Sequence, residues 1–227
     1  MVRQTFEQSL QRLQDEVLIL GSMVEQAILD AVEILRRRDT EGARRLIAGD
    51  QIINEKRFEI EAKVLTLIAT QQPMARDLRI LAAILEIATE LERMGDYAKG
   101  IAKISLMIGN EPLIKPLIDI PRMAQKATNM LHRALDAFIR EDAKLARAIP
   151  AEDDEVDALY NQVYRELLAC IMANPRTLDQ ATYLLWVAHN LERAADRVTN
   201  ICERIVFIVT GELIEMDIEG EGPEGIN

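Results

Sequence analysis

Apolar residues recur every three or four positions along most of the chain, which is the spacing of one face of an α-helix. Turn-forming residues such as Gly, Pro, Asn and Asp interrupt this pattern at intervals, and strand signals are absent. Good helix formers dominate the composition, with aromatic residues at only 4%. The pattern therefore predicts six long helices, over about residues 5–37, 40–71, 74–108, 122–140, 142–172 (disturbed at Pro150) and 177–210.

The second half of the chain repeats the first. Residues 91–96 (LERMGD) return one hundred positions later as residues 191–196 (LERAAD), and flanking apolar positions match as well. We expect an all-α fold of two tandem, pseudo-symmetric three-helix bundles made of six antiparallel helices. The predicted domains are residues 1–110 and 122–211, joined by a Pro-containing linker at 111–121 and followed by an acidic, disordered tail at 212–227.

Composition narrows the functional classes. The chain has 227 residues and a net charge of -11, which argues against a nucleic-acid-binding protein, because such proteins normally carry a basic surface. Two cysteines without a paired spacing make a disulfide framework or a cysteine-rich zinc site unlikely to form. No signal-like apolar block opens the sequence and no apolar run approaches the ~20 residues of a membrane span. We therefore expect a cytoplasmic protein.

The repeated segment places two carboxylates four positions apart, and residues four apart lie on one face of a helix. Like charges at this spacing repel. On a helical wheel, Glu92 and Asp96 share a stripe with Leu85, Ala88 and Gly95 rather than with other polar residues. Glu192 and Asp196 do the same in the second repeat. Because a buried, unpaired carboxylate costs several kcal/mol, the charge needs a partner, and a cation is one candidate.

The preceding helix of each repeat offers further oxygen ligands. Asp50 and Asn54 are four apart, as are Asp153 and Asp157 at the matching place, and antiparallel packing can bring them opposite the repeated motif. All-oxygen ligation suits Mg, Ca or Mn, and bridging carboxylates also suit iron. The Glu-x-x-His signature of di-iron bundles is missing. A solvated acidic edge is the simpler alternative for each of these residues, and the sequence contains no signature of a catalytic site.

Several segments together resemble the PhoU family of phosphate-signalling regulators. They are residues 71–79 (QQPMARDLR), 91–96, 174–176 (NPR) and 190–203 (NLERAADRVTNICE). The resemblance implies two three-helix bundles and an adaptor, not an enzyme, that helps to shut off the phosphate-starvation response. Its implied partners are the ATPase of a phosphate ABC transporter (PstB) and a sensor histidine kinase (PhoR), so any association with a membrane is through them. A homodimer is also expected.

The family resemblance also implies bound metal, with iron first and Mn, Mg, Ca or Zn as alternatives. By position, the ligands would be Glu92, Asp96, Glu192 and Asp196, with Asp50, Asn54, Asp153 and Asp157 as flanking positions.

The two copies of the motif differ in their surroundings. Members of the family often have Asn four residues after the motif Asp, and Asn200 fits this, but the first repeat has Gly100 there. Lys99 and Lys103 lie close to the first acidic stripe and could neutralise it without metal. We therefore expect the first metal site to be weaker or empty. A helical di-metal carboxylate enzyme and a metal-free structural scaffold remain the alternatives to a metal-binding adaptor.

Overall fold

A computed structural model describes residues 2–216, with the backbone alone described at Val2 and Arg3. These residues contain seven α-helices and no strand. The helices are α1 (Val2–Arg37), α2 (Thr40–Gln71), α3 (Ala75–Ile108), α4 (Asp119–Arg140), α5 (Ala143–Ala148), α6 (Asp153–Ala173) and α7 (Leu178–Thr210). No helix in this part of the chain is both long and apolar enough to cross a membrane.

Short turns separate the helices, as the turn signals predicted. α1 ends at Arg38, which adopts a left-handed conformation with φ 57°. The side chain of Asp39 then accepts a 2.8 Å hydrogen bond from the backbone N–H of Gly42, which caps α2. Gln72 and Gly211 end α2 and α7 in the same left-handed region. Antiparallel neighbours follow from these tight connections.

The helix predicted over residues 142–172 is two helices. α5 ends at Ala148, a single 3-10 turn covers Pro150–Glu152, and α6 begins at Asp153. Pro150 causes the break, because its ring clashes with the preceding turn and it has no N–H to donate. The interruption makes Asp153 the first residue of α6 and brings its carboxylate to a helix end.

α4 begins at Asp119, two or three residues before the predicted start. The proline used to place that start, Pro121, lies in the first helical turn, where its missing N–H has no intrahelical partner to lose. The linker therefore occupies residues 109–118.

The predicted pair of three-helix bundles is confirmed. α1, α2 and α3 form the first bundle, while α4, the broken α5–α6 pair and α7 form the second. The most extensive helix–helix contact among the described residues joins the bundles, between α3 and α7, and α1 also packs on α4. Gly21 permits that second approach, because a Cβ there would clash with Leu135. One continuous core results, and the repeats pack as a single body.

The first part of the predicted tail, residues 212–216, packs against the helices. The backbone N–H of Met216 donates a 2.8 Å hydrogen bond to the Glu203 carboxylate, and Ile214 and Met216 pack against the core. Composition alone did not anticipate these contacts. The remainder of the predicted tail, residues 217–227, lies outside the described residues.

Candidate metal centres

The repeated acidic motif lies at the edge of the core. In α3, Leu91, Met94 and Ala98 are buried, and they fix the rotation of the helix about its axis. Glu92 is thereby left half-buried and Asp96 exposed. In α7, Leu191, Ala194 and Val198 do the same, but both Glu192 and Asp196 are half-buried. The two copies share one helix register and differ in how much solvent reaches them.

In the first repeat, a lysine already compensates the carboxylates. Lys99 Nζ lies 2.6 Å from Asp50 Oδ2 and 3.5 Å from Asp96 Oδ1, so it bridges α2 and α3. Asn54 donates a 3.1 Å hydrogen bond to the same oxygen of Asp50. Asp50, only 5% exposed, is therefore paired without a metal ion. Burial, with the neighbouring charge of Asp96, raises the pKa of Glu92.

In the second repeat, carboxylates face one another without a lysine. Burial, together with the charges of Asp196, Asp157 and Glu192, raises the pKa of Asp153 to about 7. Burial and the charge of Asp196 likewise raise the pKa of Glu192, and burial raises the pKa of Asp157. The oxygen Oδ1 of Asp153 is buried and makes no hydrogen bond within the part of the chain that the structure describes. The carboxylates of the second repeat therefore repel one another.

Two other side chains border this second group of carboxylates. His189 Nδ1 lies 3.0 Å from Glu192 Oε2, one turn earlier on α7. The ring of Tyr160 on α6 lies 6.3 Å from the imidazole of His189, and burial raises the pKa of its phenol. Neither His189 nor Tyr160 is among the ligands predicted from the sequence. Spacing in the sequence could have identified both. His189 lies three residues before Glu192, and Tyr160 lies three residues after Asp157, so each shares a helix face with a predicted ligand.

The second group fits a hard cation in its chemistry. Oxygen-rich donor sets suit divalent ions such as Mg, Ca and Mn, and Asp153 presents a buried oxygen that lacks a partner. Within residues 2–216, however, no three His, Cys, Asp or Glu side chains are placed to hold one ion between them. Binding there therefore requires side chains to turn towards one another. The first group fits a cation less well, because Lys99 already forms ion pairs with Asp50 and Asp96.

The eight residues predicted as ligands thus fall into two clusters. Lys99 pairs with Asp50 and Asp96, and Asn54 donates to Asp50. The charges of Asp50 and Asp96 both act on Glu92. Asp153, Asp157, Glu192 and Asp196 form the second cluster through their mutual charge effects. Lys103, also considered as a neutralising group, is exposed, and Lys99 alone makes the ion pairs.

Both acidic clusters lie in segments that match a known protein family. The model of the PhoU domain matches residues 17–105 and again residues 120–205, once for each bundle. The chain belongs to the PhoU family. Each of the two PhoU matches includes one copy of the acidic motif and the helix that carries its flanking acidic residues.

Curated PhoU proteins resemble the chain over nearly its whole length. The phosphate-specific transport system accessory protein PhoU homolog of Clostridium acetobutylicum is 37% identical over 218 residues, covering 96% of this chain and all of that protein. The homolog from Caulobacter vibrioides strain NA1000 is 40% identical, covering 92% of this chain and 91% of its own. PhoU of Escherichia coli K12 is 34% identical over 91% of this chain and 86% of its own.

The fold agrees with solved PhoU structures. The crystal structure of the phosphate transport system regulatory protein PhoU from Streptococcus pneumoniae superimposes with a TM-score of 0.85 at 32% identity. The alignment covers 92% of this chain and 99% of that one. PhoU from Pseudomonas aeruginosa gives a TM-score of 0.83 at 30% identity, over 91% of this chain and all of that one.

Proposed function

We propose that this protein regulates phosphate uptake and acts as a negative regulator of the phosphate-starvation response. The observation that carries the proposal is the match, over nearly the full length, to accessory proteins of the phosphate-specific transport system. In this role the chain is a cytoplasmic adaptor. It binds the ATPase of the phosphate ABC transporter (PstB) and a sensor histidine kinase (PhoR), and reaches the membrane only through them.

An exposed apolar stripe supports the adaptor role. Tyr164, Leu168 and Met172 are spaced by four along α6, which places them on one face, and all three are exposed. Exposed apolar side chains that are contiguous mark protein-interaction surfaces more often than scattered ones do. The stripe is therefore our proposed contact with a partner protein or with the second subunit of a homodimer.

Metal binding by the second acidic cluster is part of the proposal. Asp153, Asp157, Glu192 and Asp196 supply the oxygens, and a divalent cation there would offset the repulsion between carboxylates that helps to raise the pKa of Asp153 and Glu192. Iron is the first candidate, with Mn, Mg, Ca and Zn as alternatives. The ion's role in this proposal is to hold α6 against α7 and so to keep the exposed stripe of α6 in a fixed position.

A helical di-metal enzyme is the second candidate function, but no observation favours it. Proteins of the family are named as accessory or regulatory proteins rather than enzymes. Such an enzyme needs an open coordination position beside a bound substrate. A groove of about 930 Å³ lies elsewhere, between α1 and α2, and meets the first acidic cluster at Asp50.

Capture by the proposed partners tests the adaptor role. Full-length protein should co-purify with the transporter ATPase or the sensor kinase, and a double variant Leu168→Ser/Met172→Ser should lose this capture. Ile52→Ser, which removes an exposed apolar side chain from α2, is the matched control. Failure of the wild-type protein to capture either partner, with or without phosphate, would overturn the proposal.

A further inference from the structure

A solvent-open pocket of about 430 Å³ lies between the repeats. It is lined by Arg93, Asp96, Tyr97, Arg193 and Arg197, which come from α3 and α7. Arg93 and Arg193 occupy the same position in the two copies of the acidic motif, directly after Glu92 and Glu192. The packing of α3 on α7 therefore brings both arginines to one pocket, which Asp96 of the first acidic cluster also lines.

The pocket carries an excess of positive charge. Glu90 is buried beside it, accepting hydrogen bonds from Arg93 Nη1 at 2.6 Å and from Arg197 Nη1 at 3.4 Å. Asn200 also donates to Glu90, at 3.1 Å. Three guanidinium groups thus face two carboxylates, those of Glu90 and Asp96. Asp96 is further offset by Lys99 at 3.5 Å. A positive pocket stands out in a chain whose net charge is -11.

Hydrogen-bond donors remain unused in this pocket. The guanidinium of Arg193 stacks on Tyr97, 5.1 Å from the ring centroid, and forms no ion pair with a carboxylate of residues 2–216. Stacking engages the face of the guanidinium plane and leaves its N–H groups to donate. In Arg197, the Nε–H group is buried and has no hydrogen-bond partner among residues 2–216. A buried donor without an acceptor is costly, so an anion that supplies one would be stabilised.

We propose that this pocket between the repeats binds a phosphate oxyanion through Arg193, Arg197 and Arg93. Guanidinium groups match phosphate oxygens in bidentate geometry, and several together distinguish a dianion from chloride. The ligand is either free inorganic phosphate or the terminal phosphate of a nucleotide, because both present the same oxygens. The proposal goes beyond the regulatory role above and does not depend on the metal site.

Calorimetric titration of the full-length, chelator-treated protein tests this site. Inorganic phosphate and ATP are titrated separately into wild type, Arg193→Gln and the control Arg44→Gln, which changes an exposed arginine on α2. Saturable binding of either ligand is expected, weakened about tenfold or more by Arg193→Gln, because a hydrogen bond to a charged group is lost. Arg44→Gln should bind as wild type does, and the tighter ligand identifies the source of the phosphate.

Asp96→Asn separates this site from phosphate held on a metal ion. Removing the carboxylate should tighten binding a few-fold, since like charge in the pocket is lost, whereas a metal-bridged phosphate would bind more weakly. The Nε–H nuclear magnetic resonance signal of Arg197 should shift on titration and provides a site-specific readout. The proposal is overturned if neither ligand binds, if Arg193→Gln binds as tightly as Arg44→Gln, or if Asp96→Asn weakens binding.

Discussion

Lys99 reaches from α3 to the buried carboxylate of Asp50 on α2, 2.6 Å away, and this ion pair makes the two repeats chemically unequal. The corresponding carboxylate in the second repeat, Asp153, faces other carboxylates instead. A duplicated sequence has therefore produced one acidic cluster with a lysine among its carboxylates and one in which the carboxylates act mainly on each other.

Removing the lysine should destabilise the first bundle. Lys99→Met removes the ion-pair partner of Asp50, whose side chain is only 5% exposed, and we expect a loss of about 1–3 kcal/mol in the free energy of unfolding. Urea denaturation at pH 7 measures it. Lys103→Met, at an exposed position on the same helix, should change stability by under about 0.5 kcal/mol. Equal effects of the two substitutions would contradict the assigned ion pair.

Metal content should depend on the second repeat more than on the first. Glu192→Ala/Asp196→Ala removes two of the four clustered carboxylates, while Glu92→Ala/Asp96→Ala alters a cluster that Lys99 already neutralises. Elemental analysis of protein purified without chelator should show the greater loss in the first of these double variants. Equal loss in both, or no loss in either, would contradict the prediction.

Stability should fall with rising pH because of Asp153. Its pKa is raised to about 7, above the unfolded value near 3.9, so the folded state binds the extra proton between about pH 4 and 7. The free energy of unfolding from this group therefore decreases as pH rises through that window. Asp153→Asn should remove the dependence and stabilise chelator-treated protein by roughly 1 kcal/mol at pH 8, allowing for solvent screening.

Thermal unfolding from pH 5 to 8 provides the measurement for Asp153. The difference in stability between Asp153→Asn and wild type should grow with pH, whereas Asp154→Asn, which removes only the smallest of the charges acting on Asp153, should show less growth. A parallel pair of curves for Asp153→Asn and wild type would show that burial of this carboxylate costs nothing.

The contact between the repeats should depend on Glu90. This carboxylate is 8% exposed and accepts hydrogen bonds from Arg93, Arg197 and Asn200. Glu90→Ala leaves the half-buried Arg197 without its charge partner, and we expect a loss of about 2 kcal/mol in the free energy of unfolding. Glu86→Ala, one turn earlier, removes an ion pair to Arg204 from a side chain that is 54% exposed, and should cost under 1 kcal/mol. Chemical denaturation of both variants makes the comparison.

The sequence was sufficient for much of the fold because helices are local structures. The spacing of Leu91, Met94 and Ala98 set the buried face of α3, and the same spacing one hundred residues later set that of α7. The repeat identified two bundles, and Asp39 and Pro73 marked the turns that follow α1 and α2. Pro150 was recognised as a disturbance, but the local pattern could not show that α5 ends entirely at Ala148.

The tertiary structure decided which charges meet, because ion pairs between helices depend on how the helices are rotated and offset. The sequence placed Lys99 near the first acidic stripe, but only the packing of α3 on α2 selected Asp50 as its partner and excluded Lys103. Glu90 and the pocket of arginines arise from the contact of α3 with α7, between residues more than a hundred positions apart. Local periodicity fixes the face on which a side chain lies, whereas the partner on the facing helix is fixed by packing.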